Sequence, residues 1–100
     1  MLAWLLRRRR RIRVEGRSML PALAPGDEVL VALGRPVDVG DIVLARHPYR
    51  RDVVLLKRVD HIDSQGRLHL LGDNPRESTD SRSFGSVGAE RVIGRVTSRF

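Results

Sequence analysis

The chain has 100 residues, of which 41% are hydrophobic and 31% charged, and it contains no cysteine. That length suits one small domain and excludes a multi-domain enzyme, while the missing thiols exclude disulfides, zinc–cysteine centres and thiol catalysis and suit a reducing compartment. The formal charge of +7 invites a nucleic-acid or anionic-membrane reading. Arg7, Arg8, Arg9, Arg10, Arg11 and Arg13 supply six of those charges in one short segment, so the body of the domain is nearly neutral.

The first six residues, Met1 to Leu6, are apolar and run straight into the arginines. A membrane span needs about 20 apolar residues, and a secretory leader places its charges before the apolar stretch. Residues 1–11 are therefore expected to form a basic tail, and residues 12–100 the working domain. With Trp4 beside the cationic cluster, the tail could make weak peripheral contact with an anionic membrane surface, but a solvated or disordered tail is the favoured reading.

From Ile12 onward, short β-type runs alternate with Gly, Pro and Asp. Strands are expected at 12–15, 28–33, 41–46, 53–59, 67–71 and 91–97, separated by turn formers such as Pro25-Gly26-Asp27, Gly40-Asp41 and Ser64-Gln65-Gly66. No window sustains a helical period beyond one turn near residues 19–23. The expected fold is mainly β: a small coiled sheet or partly open barrel without a large β insertion.

Three segments carry candidate chemistry. In the first, Glu15-Gly-Arg-Ser-Met-Leu-Pro-Ala-Leu23, Ser18 follows a strand and Gly16 on a connection restricted by Pro21. A serine placed there can offer a nucleophilic hydroxyl and an oxyanion-binding amide from one residue; a turn or capping serine fits the same segment. In the second, strand alternation puts Lys57 on one face with Val53, Leu55 and Val59. Burial among aliphatic side chains disfavours the ammonium form and makes a usable base, which arginine cannot become. Every other basic residue is arginine. An edge lysine reaching solvent is the alternative. In the third, residues 72–85, hydroxyls and turn formers mix with Asp73, Arg76, Glu77, Asp80 and Arg82. There Ser78 can orient the lysine and Asp80 with Arg82 can lock the loop; a solvated loop with Asx turns fits the composition too.

Together these segments resemble the signal peptidase I family of serine-lysine peptidases. Gly16-Arg-Ser18-Met19-x-Pro21-x-Leu23 is similar to its nucleophile box, Gly40-Asp41-Ile42-Val43 with Pro48 to the next, Lys57-Arg58-Val59 to the general-base box, and Gly72-Asp73-Asn74 through Ser78, Asp80-Ser81-Arg82, Gly85 and Ile93-Gly94 to the last. The resemblance implies Ser18 as nucleophile, Lys57 as general base, Ser78 as the group orienting the lysine, Asp80 and Arg82 as structural support, and the Ser18 amide as an oxyanion donor, within a serine-lysine variant of the triad logic. It implies no cofactor and no metal. The chain departs from the family pattern in having only six apolar residues where membrane-bound members carry a spanning segment. It also has room for no more than one hairpin between Lys57 and Gly72, and glycine at position 16 where some members have serine.

A compact version of this kind most resembles the nickel-type superoxide dismutase maturation proteases, which implies a cytoplasmic protein, possible peripheral contact with the inner face of the membrane, and a precursor polypeptide as partner. A signal peptidase I cleaving secretory preproteins at the membrane is the main alternative. The self-cleaving repressor family also pairs serine with lysine, but the Gly72-Asp73-Asn74 to Arg82 block and the missing DNA-binding half count against it. A small basic nucleic-acid-binding barrel is weakly supported, because Trp4, Tyr49, Phe84 and Phe100 do not interleave with basic residues on one strand. His47, His61 and His69 lack the short pairing of zinc ligands. A Ser18–His61–Asp63 triad is formally open, although Lys57 already explains a base.

Overall fold

The computed structural model describes residues 8–34 and 36–100. The apolar opening with Trp4, and Arg7, lie outside the described residues, and so does most of the proposed membrane-contacting tail. No helix among the described residues is long and apolar enough to cross a membrane.

Six strands form one antiparallel sheet: β1 Arg9–Arg13, β2 Glu28–Leu33, β3 Ile42–Arg46, β4 Val54–Ile62, β5 Leu68–Leu71 and β6 Val92–Arg99, in the order β1-β2-β6-β3-β4-β5. The sheet does not close on itself, so the expected small coiled sheet is what forms. β1 starts three residues earlier than expected, and Arg9, Arg10 and Arg11 pair with Ala32, Val31 and Leu30. The extended chain continues past β1 to Val14, whose amide donates to Asp27 O at 2.7 Å and whose carbonyl accepts from Gly26 N at 2.9 Å. The arginine run thus supplies strand residues from Arg9 on.

Both faces of the sheet are covered, which explains why β3 reads Ile-Val-Leu-Ala without alternation. On one face Val14, Met19, Leu23, Val29, Val31 and Leu44 pack together. On the other, Val43, Ala45, Val59, Leu68, Leu70 and Val87 do so. Neighbours Val43 and Leu44 go to opposite clusters, as strand pleating requires. Bulges at Leu30/Val31, Leu44/Ala45 and Val59/His61 add local twist and coil the sheet. Gly94 in β6 permits close strand approach: a Cβ there would strike Ala32 O and lie 2.7 Å from Val31 Cγ1.

The turn near residues 19–23 forms, with Leu23 N donating to Met19 O at 2.9 Å. Three short helical pieces are additions to the expected elements: 3₁₀ turns at Pro75–Glu77 and Ala89–Arg91, and a helix α1 at Ser81–Phe84. Each is shorter than any window in which hydrophobic periodicity can be read.

Candidate active site

Ser18 sits on the connection between Val14 and the turn at 19–23, half-buried. Gly16 just before it has φ +71°, a left-handed conformation that glycine adopts without strain and that accounts for its presence there. Met19, only 2% exposed, plugs into the first hydrophobic cluster and so pins the residue next to Ser18. From the other side, Asn74 N donates to the Ser18 carbonyl at 2.8 Å and Asn74 Nδ2 donates to Arg17 O at 3.0 Å. Glu77 accepts from Arg17 Nε at 2.9 Å. The Ser18 amide has no acceptor among the described residues and remains available as a donor.

Lys57 lies on β4 across from Val43 and is 5% exposed. Burial pushes its amine below the ordinary lysine value of 10.5; the Asp80 carboxylate works against that shift and the Arg82 guanidinium adds to it. No hydrogen bond to the amine forms among the described residues.

Asp80 is 1% exposed and is the hub of the third segment. It accepts from Gly72 N at 2.8 Å, from the Ser78 hydroxyl at 2.6 Å, and from the amide and guanidinium of Arg82. Burial raises its carboxyl, but the hydrogen bonds from Arg82, Ser78 and the Gly72 amide outweigh burial and hold it well below the usual carboxylate range. The Asp80–Arg82 ion pair expected from the sequence forms, and Asp80 also caps α1.

Gly72 ties the three segments together. β4 and β5 pair Arg58 with Leu71, so the next residue, Gly72, comes level with Lys57, and cross-strand partners face the same side with Cβ positions about 5 Å apart. A Cβ on Gly72 would overlap Ser78 Oγ and lie 2.8 Å from Ser18 O. Ser78 and the Ser18 carbonyl thus meet over one glycine that lies level with Lys57 on the neighbouring strand. Of the residues singled out, Ser18, Lys57, Ser78, Asp80 and Arg82 gather there, while Gly16 and Met19 shape the connection bearing Ser18.

Arg58 holds the loop after β5 by donating to both Asp73 oxygens, at 2.9 and 2.8 Å, and to Gly40 O at 2.7 Å. Its place beside Lys57, one step along the strand and therefore on the opposite face, is the sequence signal that could have identified it. The His61–Asp63 couple does not form. His61 Nδ1 pairs with Asp60 at 3.1 Å and its ring stacks on His69, with centroids 3.9 Å apart, while Asp63 accepts the amides of Gln65 and Arg67. Among the described residues no three His, Cys, Asp or Glu side chains are arranged to hold a metal ion.

A buried lysine, a serine on a tight connection and a hydroxyl–carboxylate pair are thus set on a small coiled antiparallel sheet. The Peptidase S24-like family model matches residues 9–97, and the chain belongs to that family. It is also similar to Signal peptidase IB of Staphylococcus aureus: the proteins of strains N315, MW2 and COL are each 42% identical over 36 residues, which is 36% of this chain. The match spans only 19% of those relatives' length.

Proposed function

We propose that the protein is a serine endopeptidase in which Ser18 is the nucleophile and Lys57 the general base. The observation that carries this reading is Lys57, buried and with its amine pushed toward the neutral form, on the strand opposite Gly72, over which Ser78 and the Ser18 carbonyl meet. In the reaction Lys57 takes the Ser18 hydroxyl proton as Oγ bonds to the scissile carbonyl carbon. The Ser18 amide donates to the developing oxyanion. The C–N bond then breaks as the Lys57 ammonium gives its proton to the leaving amine; water, deprotonated by Lys57, attacks the acyl carbon, the bond to Ser18 Oγ breaks, and Lys57 returns the proton to Oγ. Ser78 orients the amine, and Asp80 with Arg82 holds Ser78.

A groove of about 340 Å³ supports a substrate bound in extended form. It is lined by Ile12, Val14 and Glu15, on the stretch leading to Ser18, and by Leu44, Val54 and Leu56. Leu56 directly precedes Lys57 in β4, and Val14 and Glu15 precede Ser18 on its connection. Such a groove takes small or apolar side chains.

The proposed substrate is a precursor polypeptide whose N-terminal propeptide is removed in the cytoplasm, with the nickel-type superoxide dismutase precursor as the particular case that the sequence resemblance implies. The similarity to Signal peptidase IB favours a second reading, cleavage of secretory preproteins at a membrane. The protein is to be mixed with each precursor and new amino termini located by mass spectrometry. Processing of the superoxide dismutase precursor alone supports the first reading, processing of the secretory precursor alone supports the second, and an unchanged mass for both contradicts the peptidase.

A further inference from the structure

Next to the cluster around Lys57 lies a second groove, of about 450 Å³, which the mechanism above does not use. Val53 and Leu55, two of its walls, alternate with Lys57 and so share its side of the strand. Thr79, another wall, stands between Ser78 and Asp80. The groove therefore opens on the Lys57 side of β4, next to the loop bearing Ser78, and on the other side of the strand from Val54 and Leu56.

Its polar equipment is specific. His47 is 9% exposed, and its Nδ1 accepts the amides of Tyr49 and Arg50 at 3.0 and 3.1 Å. An Nδ1 that accepts cannot carry the ring hydrogen, so the hydrogen is on Nε2. That N–H has no acceptor among the described residues, although the ring lines the groove. It is not sealed in the interior but opens to the groove, where a ligand's acceptor can meet it in place of water. Arg50 lines the same groove, is exposed, and has no ion-pair partner among the described residues. Phe84, 4.9 Å from the His47 ring between centroids, and Leu55 give the remainder an apolar surface.

We propose that this groove selects a substrate with an acidic side chain beside an apolar one, its carboxylate accepting from His47 Nε2 and from the Arg50 guanidinium. The proposal rests on the peptidase reading and adds to it a recognition element outside the proposed Ser18–Lys57 pair. Charge-assisted donors pointing at a carboxylate discriminate strongly against the isosteric amide.

Binding is measured with the Ser18→Ala protein, so that the answer does not depend on turnover. The probes are two capped peptides, acetyl-Ala-Phe-Asp-Ala-amide and its Asn counterpart. The Asp peptide is expected to bind about tenfold more tightly at low salt and to shift the His47 ring signals in NMR. Arg50→Ala, a change at an exposed residue, and His47→Gln each reduce the preference to about twofold or less. Equal affinity for the two peptides, no binding of either, a preference that survives Arg50→Ala, or shifts confined to the Ile12–Leu56 groove each overturn the proposal. Selective binding of the Asp peptide together with failure of the unmodified protein to cleave any precursor would retain the groove and reject the peptidase.

Discussion

The Ser78 hydroxyl donates its one hydrogen to Asp80 Oδ2 at 2.6 Å, which leaves the Ser78 oxygen able only to accept on its other side. Toward Lys57 it can therefore take an N–H and never supply one. That polarity suits the proposed base: an amine that donates to Ser78 during the reaction turns its lone pair elsewhere. Ser78→Ala is expected to lower kcat about tenfold with little change in KM, and to move the activity limb that reports the lysine to lower pH, because an acceptor that favoured the ammonium is gone. Ser78→Thr keeps the hydroxyl and restores most of the rate. Profiles of kcat against pH for the three proteins decide this; an unmoved limb in Ser78→Ala reduces Ser78 to a turn residue.

Lys57→Arg is expected to be as inactive as Lys57→Ala, about a thousandfold or more below the parent. The guanidinium keeps its proton throughout the working pH range and cannot accept the one on Ser18. Cleavage rates of the processed precursor, measured beside circular dichroism to verify folding, provide the test. Appreciable turnover in Lys57→Arg contradicts the role of Lys57.

Gly72→Ala tests the close approach of the three segments. The backbone at Gly72 is not in the left-handed region, so the effect is purely steric: the added methyl meets Ser78 Oγ and the Ser18 carbonyl. A loss of about 1–3 kcal/mol in denaturant unfolding is expected, together with a fall in kcat as Ser18 and Ser78 are pushed apart. Unchanged stability and rate would show that the segments are not packed on this glycine.

Asp80 sets an acid-side dependence of stability. Its folded carboxyl lies below the ordinary value of 3.8, so as pH falls the unfolded chain takes up the proton first. The Asp80 contribution is therefore complete above about pH 4 and drains away as pH drops through the folded value. Asp80→Asn should cost about 2 kcal/mol at neutral pH, less than a fully buried ion pair because the Arg82 side chain is 44% exposed. The gap between the two proteins should narrow at about pH 2.5. Urea titrations at the two pH values give the comparison, and a gap that widens in acid contradicts this account.

The strands from β2 onward were legible because each is a short apolar run closed by Gly, Pro or Asp, and β2 falls at 28–33 as read. β1 was displaced because arginine carries no strand signal, and Arg9–Arg11 are recognisable as strand only through their pairing with β2. Lys57 stood out chemically, as the one lysine in an arginine-rich chain on an aliphatic face. Its partners are linked by contacts that no local pattern encodes. Gly72 meets Ser18 from 54 positions away in the chain, and Arg58 reaches across to Asp73 and Gly40. The direction of the Ser78–Asp80 hydrogen bond is likewise a property of the folded loop.

Because Lys57 is the only lysine, protein made with [¹³C]lysine carries a single side-chain Cε resonance, and following it with pH titrates the proposed base directly. The account predicts a midpoint clearly below the ordinary value of 10.5, disappearing from that position when the protein is unfolded in urea. A folded-state midpoint at or above 10.5 would mean that the amine keeps its proton where the proposed base must give it up, and would contradict the central claim.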